Sequence, residues 1–252
     1  MADLVVRYCK GEKIMDRRGF LTTGLAAGAA VVSAGSSSAA GQGKGKIKII
    51  GISCSPRKGK TTCTALEICL KAAREVSPAI ETRLIELAGM DIRPCNACME
   101  CQKELKCSIQ DDFAELIPVL ADKNVAGMII GTPVYFGMMT AQCKAFLDRC
   151  GMFRFNNWIF RNRVGGTLAV GSMRNGGQEI TQQAVRTVLL CHDMICVSEG
   201  KDTAHFGATL VSGGEGGIEA DTFGLKTAGN LGRRVAELAL LVNSAKTGQA
   251  GA

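Results

Sequence analysis

Two hydrophobic periods alternate along this chain from residue 46 onward. Residues 46–52, Lys-Ile-Lys-Ile-Ile-Gly-Ile, are short and apolar enough for a strand buried in a parallel sheet. Residues 53–62 are rich in turn formers. Apolar side chains then recur at helical spacing over 62–76, through Ala65, Leu66, Cys69, Ala72, Ala73 and Val76. Ser77-Pro78 ends that helix. The same reading predicts strands at 81–87, 125–131, 167–171 and 195–197. Helices are expected at 111–120, 141–149, 178–192 and 223–244, with Gly- and Ser-rich loops around 207–217.

Strands alternating with helices imply a parallel sheet covered on both faces. The expected fold class is α/β, a doubly wound five-stranded parallel sheet in three layers, with the flavodoxin-like strand order. Ligands of such sheets bind outside the carboxyl ends of the strands. Three loops leave those ends, 53–62, 132–140 and 171–178, and their convergence describes one binding site. No internal repeat or second domain is visible. The expected organisation is an N-terminal segment 1–45, one domain over 46–246 and a tail over 247–252.

Composition narrows the function. With 252 residues and 46% hydrophobic, the chain can fill one domain plus an extension. A net charge of +7 without a basic stripe and interleaved aromatics gives nucleic-acid binding little support. Two His and one Trp supply histidine chemistry poorly, whereas twelve Cys are many for this length. Cys54, Cys63, Cys69, Cys143, Cys150, Cys191 and Cys196 mostly fall among apolar neighbours and read as small buried hydrophobes.

Cys95, Cys98, Cys101 and Cys107 are different, because they form a C-x2-C-x2-C-x5-C run. Packing gives no reason for that spacing. A [4Fe–4S] cluster takes four Cys thiolates, and a tight run lets one loop wrap most of it. Zinc is the main competitor, although its four-Cys sites usually come as two separated pairs. Structural or disulfide cysteines are the third reading.

The loop 53–62 lies between a strand and a helix start, where unpaired N–H groups and the helix dipole attract an anion. Ser53, Ser55, Thr61 and Thr62 offer hydroxyls there, and Arg57 a charge. Gly59-Lys60-Thr61 resembles the end of a P-loop, but the Walker spacing needs Gly at position 54, where Cys stands. Pro133, Val134, Tyr135, Phe136 and Gly137 follow the third strand, and the aromatic pair could wall a flat ring. Ser172 and Gly176 stand in the loop 171–178, whose glycines allow close backbone approach.

The N-terminal segment reads as an address. Asp16-Arg17-Arg18-Gly19-Phe20-Leu21-Thr22 resembles the twin-arginine export motif. The mildly apolar run 21–34 is too short for a membrane span, and Ala39 or Ala40 suits signal peptidase. Met15 directly precedes the motif and is the expected true start. That route carries folded proteins, which suits a chain that must take up a cofactor before reaching the periplasm; a cytoplasmic location is the alternative.

Together these residues resemble the NADPH-dependent FMN reductase superfamily, and within it the iron–sulfur flavoproteins. The resemblance spans nearly all of 46–245. It rests on Ser55-Pro56-Arg57 with Thr61-Thr62, the cysteine run followed by Asp111-Asp112, and Pro133-Val134-Tyr135-Phe136-Gly137. Lys144 with Phe146-Leu147-Asp148-Arg149, and Gly176-Gly177-Gln178-Glu179, complete it. The resemblance implies FMN, its phosphate on the first loop and its ring along residues 133–137, with the third loop at its border. It also implies a [4Fe–4S] cluster on the four cysteines, and a homodimer or homotetramer with cluster and flavin within electron-transfer reach across the subunit contact. The expected function is an FMN- and iron–sulfur-dependent oxidoreductase that relays electrons between a two-electron and a one-electron partner. NAD(P)H is one candidate donor, and a redox protein or a small oxidant the acceptor. Two alternatives are an NAD(P)H-dependent FMN or quinone reductase without a cluster, and a non-catalytic flavodoxin-like carrier with structural cysteines.

Overall fold

Residues 46–248 are described by a computed structural model. The export-signal reading of residues 1–45 falls outside them.

β1 (Ile47–Ser53), β2 (Ile80–Glu86), β3 (Val125–Pro133) and β4 (Val164–Gly171) form one parallel sheet in the order β2-β1-β3-β4. The fifth position is filled in two pieces. β5 (Ile195–Cys196) pairs with Val164 and Gly165 at the start of β4, and β6 (Ala208–Val211) pairs with Leu168 to Gly171 at its end. The chain leaves the sheet over 197–207, where the carboxylate of Glu199, 1% exposed, organises the excursion. It accepts the N–H groups of His205 at 2.8 Å and Gly207 at 3.0 Å. The doubly wound α/β expectation therefore holds, and the Gly/Ser-rich stretch read as loop begins with a strand.

Two other boundaries move for physical reasons. β4 begins at Val164 rather than 167, because Gly165 and Gly166 erase the apolar signal. A Cβ on Gly166 would come within 2.9 Å of the Val235 side chain, so the missing side chain is what lets the last helix lie close on the sheet. β3 continues two residues past 131, with Pro133 still paired to Val170.

Each face of the sheet carries its own core. Ile47 and Ile49 point to one side with Ile129, Val164 and Leu168, covered by α1 (Thr61–Val76) and α6 (Thr222–Gly248) through Leu66, Leu70, Leu231 and Val235. Ile50 and Ile52 point to the other with Met128 and Ile130. The period of two along β1 thus feeds both cores. The second face is covered by α2 (Phe113–Ala121), α3 (Ala141–Arg149), α4 (Gly151–Phe155) and α5 (Gln178–Cys191). α4 is five residues long, too short for periodicity to reveal. It supplies Phe153, fully buried and stacked on Phe160 at 4.5 Å between ring centroids. Burying a Phe side chain contributes roughly 1.5–3 kcal/mol.

Candidate functional site

Every loop singled out in the sequence leaves the carboxyl end of a strand. Ser53 is the last residue of β1, and its Oγ is buried with no hydrogen-bond partner. Thr62, in the first turn of α1, has an equally buried and unpartnered Oγ1. Buried polar atoms are normally paired, so an orphan hydroxyl at the end of β1 and another at the start of α1 call for an explanation. Lys60 caps α1 with extended backbone and no side-chain hydrogen bond, so the first-turn N–H groups and the dipole of this 16-residue helix lack a side-chain acceptor at the cap. Ser55 is buried and holds the loop turned: its Oγ accepts from the Arg57 N–H at 3.2 Å and donates to the Arg57 carbonyl at 3.3 Å. Arg57 is exposed and Thr61 half-buried.

The second loop is a tight two-residue turn. Tyr135 and Met138 exchange backbone hydrogen bonds at 2.8 and 3.1 Å, around Phe136 at φ 49° and Gly137 at φ 77°. Positive φ at both central residues is the type I′ pattern, strained for a bulky residue such as Phe. The Phe136 ring is fully exposed and Tyr135 is 47% exposed, so neither aromatic belongs to the core. Pro133 is buried in β3, and Val134 is half-buried with its N–H on the Val170 carbonyl at 2.9 Å.

The third loop meets the second backbone to backbone. Gly177 has φ 101°, and a Cβ there would lie 3.0 Å from the Gly137 Cα. Gln178, buried, braces the loop by donating to the Met173 carbonyl at 2.7 Å and accepting from the Gly176 N–H at 2.9 Å. Ser172 is exposed and Gly176 half-buried. A further loop, after β6, joins the rim: the Ser212 N–H donates to the Gly171 carbonyl at 3.0 Å. Composition concealed it, because no strand was expected before it.

The cysteine loop follows β2, and Cys95, Cys98, Cys101 and Cys107 all line one pocket with Ser108, Asp148, Arg149 and Phe155. Ala97 and Met99 adopt φ of 55° and 61°, so the chain reverses between successive cysteines. The Ala97 N–H points at Cys95 Sγ at 3.5 Å, and Cys98 Sγ lies 3.0 Å from Ser108 Oγ. That Ser108 contact lowers the Cys98 pKa. Cys101 moves the other way, through burial first and then through the charges of Cys107, Cys95 and Cys98. Among the described residues, no group of three or more His, Cys, Asp or Glu is drawn together closely enough to hold a single metal ion. Cys95 and Cys98 are exposed, and Cys101 and Cys107 half-buried.

The base of this loop is closed by Asp111 and Arg149, which carried the sequence resemblance but had no role in it. Arg149 Nη1 and Nη2 donate to the two Asp111 oxygens at 2.7 and 2.9 Å, with both side chains essentially buried. Asp111 also accepts the N–H groups of Arg93 at 2.9 Å and Phe113 at 3.2 Å. Burial opposes its ionisation, but these bonds outweigh that and lower its pKa. Burial likewise opposes the charge on Arg149, but the bonds to Asp111 and the nearby Cys107 thiol raise its pKa.

Phosphate-type donors at a helix start, a projecting aromatic turn and a thiol-lined pocket thus share one end of the sheet. The family model for NADPH-dependent FMN reductase matches residues 47–209. The chain belongs to the NADPH-dependent FMN reductase family. Membership makes it a flavin oxidoreductase with FMN as the flavin. An iron–sulfur flavoprotein of Methanocaldococcus jannaschii is 44% identical over 197 residues, covering 78% of this chain and 99% of that protein. An iron–sulfur flavoprotein of Methanosarcina thermophila is 34% identical over 196 residues, covering 78% and 97%. The solved structure of a flavodoxin, WrbA-like protein from Agrobacterium tumefaciens superposes with a TM-score of 0.52 at 19% identity, covering 78% of this chain and 99% of that one, and shows the shared fold.

Proposed function

We propose that this family member is an FMN- and iron–sulfur-dependent oxidoreductase that relays electrons between a two-electron and a one-electron partner. The observation that carries the reading is the thiol-lined pocket: four cysteines of one loop face a common space at the end of the sheet that bears the flavin loops. The two relatives are named iron–sulfur flavoproteins, which supports the iron–sulfur and flavin parts of the reading.

The chemistry of the donor sets suits both groups. The start of α1 lacks a side-chain acceptor, which a bound phosphate would supply, and Ser55, Arg57 and Thr61 stand on the loop that leads to it, between the buried unpartnered hydroxyls of Ser53 at the end of β1 and Thr62 in the first turn of α1. Pro133 to Gly137 would hold the ring, with Ser172 and Gly176 at its edge. Cys95, Cys98, Cys101 and Cys107 would hold a [4Fe–4S] cluster, four soft donors on a loop fixed at its base. When bound, FMN exchanges a hydride or single electrons and the cluster passes one electron at a time. The chain's own part is to bind, orient and shield. The helix start neutralises phosphate charge, the tight turn walls the ring, and Asp111 and Arg149 keep the cysteine loop closed.

NAD(P)H is one candidate donor and a redox protein or small oxidant the acceptor. A homodimer or homotetramer, and export of the folded chain to the periplasm through residues 1–45, belong to the same proposal. Cys98→Ala tests the two-site picture. The expected variant loses iron and sulfide but retains FMN, and loss of FMN from a folded variant would contradict it.

A further inference from the structure

The buried cation beside the cysteines is the feature that loop closure does not fully explain. Arg149 is 1% exposed in its side chain and lines the same pocket as Cys95, Cys98, Cys101 and Cys107. Four of its contacts are accounted for. Nη1 donates to Asp111 at 2.7 Å and to the Arg93 carbonyl at 2.9 Å, while Nη2 donates to Asp111 at 2.9 Å and to the Ile109 carbonyl at 3.4 Å. The guanidinium lies over the Phe113 ring at 4.7 Å. Its Nε is buried and has no partner. Of the polar groups beside it, Asp111 already holds the two ends of the fork, and the Cys107 thiol is the one that also acts on the guanidinium, so a sulfur at Cys107 is the acceptor the remaining N–H can meet.

We propose that Arg149 is a positioning residue for the iron–sulfur group: its Nε–H donates to sulfur on the Cys107 side of the pocket and its charge raises the reduction potential there. The inference rests on the iron–sulfur reading above. Asp111 holds the fork in place and offsets part of its charge, so the two residues act on the potential in opposite senses. Hydrogen bonds to sulfur and nearby positive charge both favour the more negative, reduced form. Lysine would not substitute, because an ammonium lacks the second pair of donors that grips Asp111 while a third N–H points elsewhere.

The test begins with iron and sulfide assays on the unaltered holoprotein. Absence of both sinks the iron–sulfur reading itself, and this inference with it. Where they are present, a redox titration followed by electron paramagnetic resonance compares the unaltered protein with Arg149→Gln, Arg149→Lys and Asp111→Asn at matched iron content. The expected result is a fall of at least tenfold in the reduction equilibrium constant, 59 mV for one electron, for both Arg149 variants. Asp111→Asn shifts it upward, and the FMN potential stays put in all three. A purely structural role predicts unchanged potentials, or shifts of the same sign at both positions, and either result overturns the inference. Should the variants not retain the group, the unaltered protein grown with 15N-arginine gives the answer. Pulsed spectra of the reduced state then show coupling to an arginine nitrogen, and absence of coupling overturns the proposal.

Discussion

Thr140 Oγ1 donates to the Cys54 carbonyl at 2.8 Å, tying together two loops that lie 86 residues apart in the chain. The same hydroxyl accepts the Cys143 N–H at 3.0 Å and so caps α3. One buried side chain thus fixes the spacing between the phosphate-type loop and the aromatic turn, and starts the helix that ends in Arg149. Thr140→Val should cost about 0.5–2 kcal/mol, the range for losing a helix cap, and should weaken FMN binding as well. Denaturant melts and a flavin titration measure the two effects. A stability loss with unchanged FMN affinity would separate the cap from the site.

The orphan hydroxyls predict effects of opposite kind. Ser53→Ala and Thr62→Ala each remove a buried polar atom that has no partner in the chain. Leaving such a group unpaired costs about 1–3 kcal/mol, so the flavin-free variants should be as stable as the parent or more so. FMN affinity should nevertheless fall by roughly tenfold, the equivalent of one hydrogen bond to a charged group at about 1.4 kcal/mol. Variants that lose stability and keep their affinity would show that these hydroxyls serve the fold alone.

Gly177→Ala tests the close approach of the second and third loops. An Ala at φ 101° is strained, and its Cβ would press on the Gly137 Cα. The expected cost is about 1–3 kcal/mol, with weaker FMN binding because the aromatic turn is displaced. Retention of full affinity in a folded variant would show that the turn does not border the ring.

His192 supplies a pH dependence that does not involve the flavin loops or the cysteine loop. Its ring packs against Phe160, and burial, with the Arg154 charge, lowers its pKa to about 4. A depressed histidine is protonated in the unfolded chain before it is in the folded one. Stability contributed by neutral His192 is therefore complete above pH about 6.5 and falls as pH drops toward 4, by on the order of 3 kcal/mol in total. His192→Asn should flatten this part of the stability–pH curve relative to the parent. Parallel curves for the two proteins would contradict it.

How much of this could be read beforehand follows the physics of each signal. β1 and α1 were legible because Ile47, Ile49, Ile50 and Ile52 fill two cores, and the apolar positions of α1 keep helical spacing. The split edge was hidden, because β6 is four residues long and enters from Gly207. The start of β4 was hidden by Gly165 and Gly166, whose lack of side chains is the reason α6 can pack there. The four cysteines declared themselves by spacing. Asp111 and Arg149 did not, since a buried ion pair across 38 residues leaves no local pattern. Phe136 and Tyr135 were visible as an aromatic pair, but only the type I′ turn reveals that both rings project outward.

The relay reading is tested most directly by purifying the protein without oxygen and measuring its visible spectrum together with iron, sulfide and flavin. The expected result is a flavin band above a broad shoulder, with iron and sulfide each at about four per chain and one FMN. A clean flavin spectrum with neither iron nor sulfide would contradict it. The protein would then be an FMN oxidoreductase whose four clustered cysteines serve the structure of their loop.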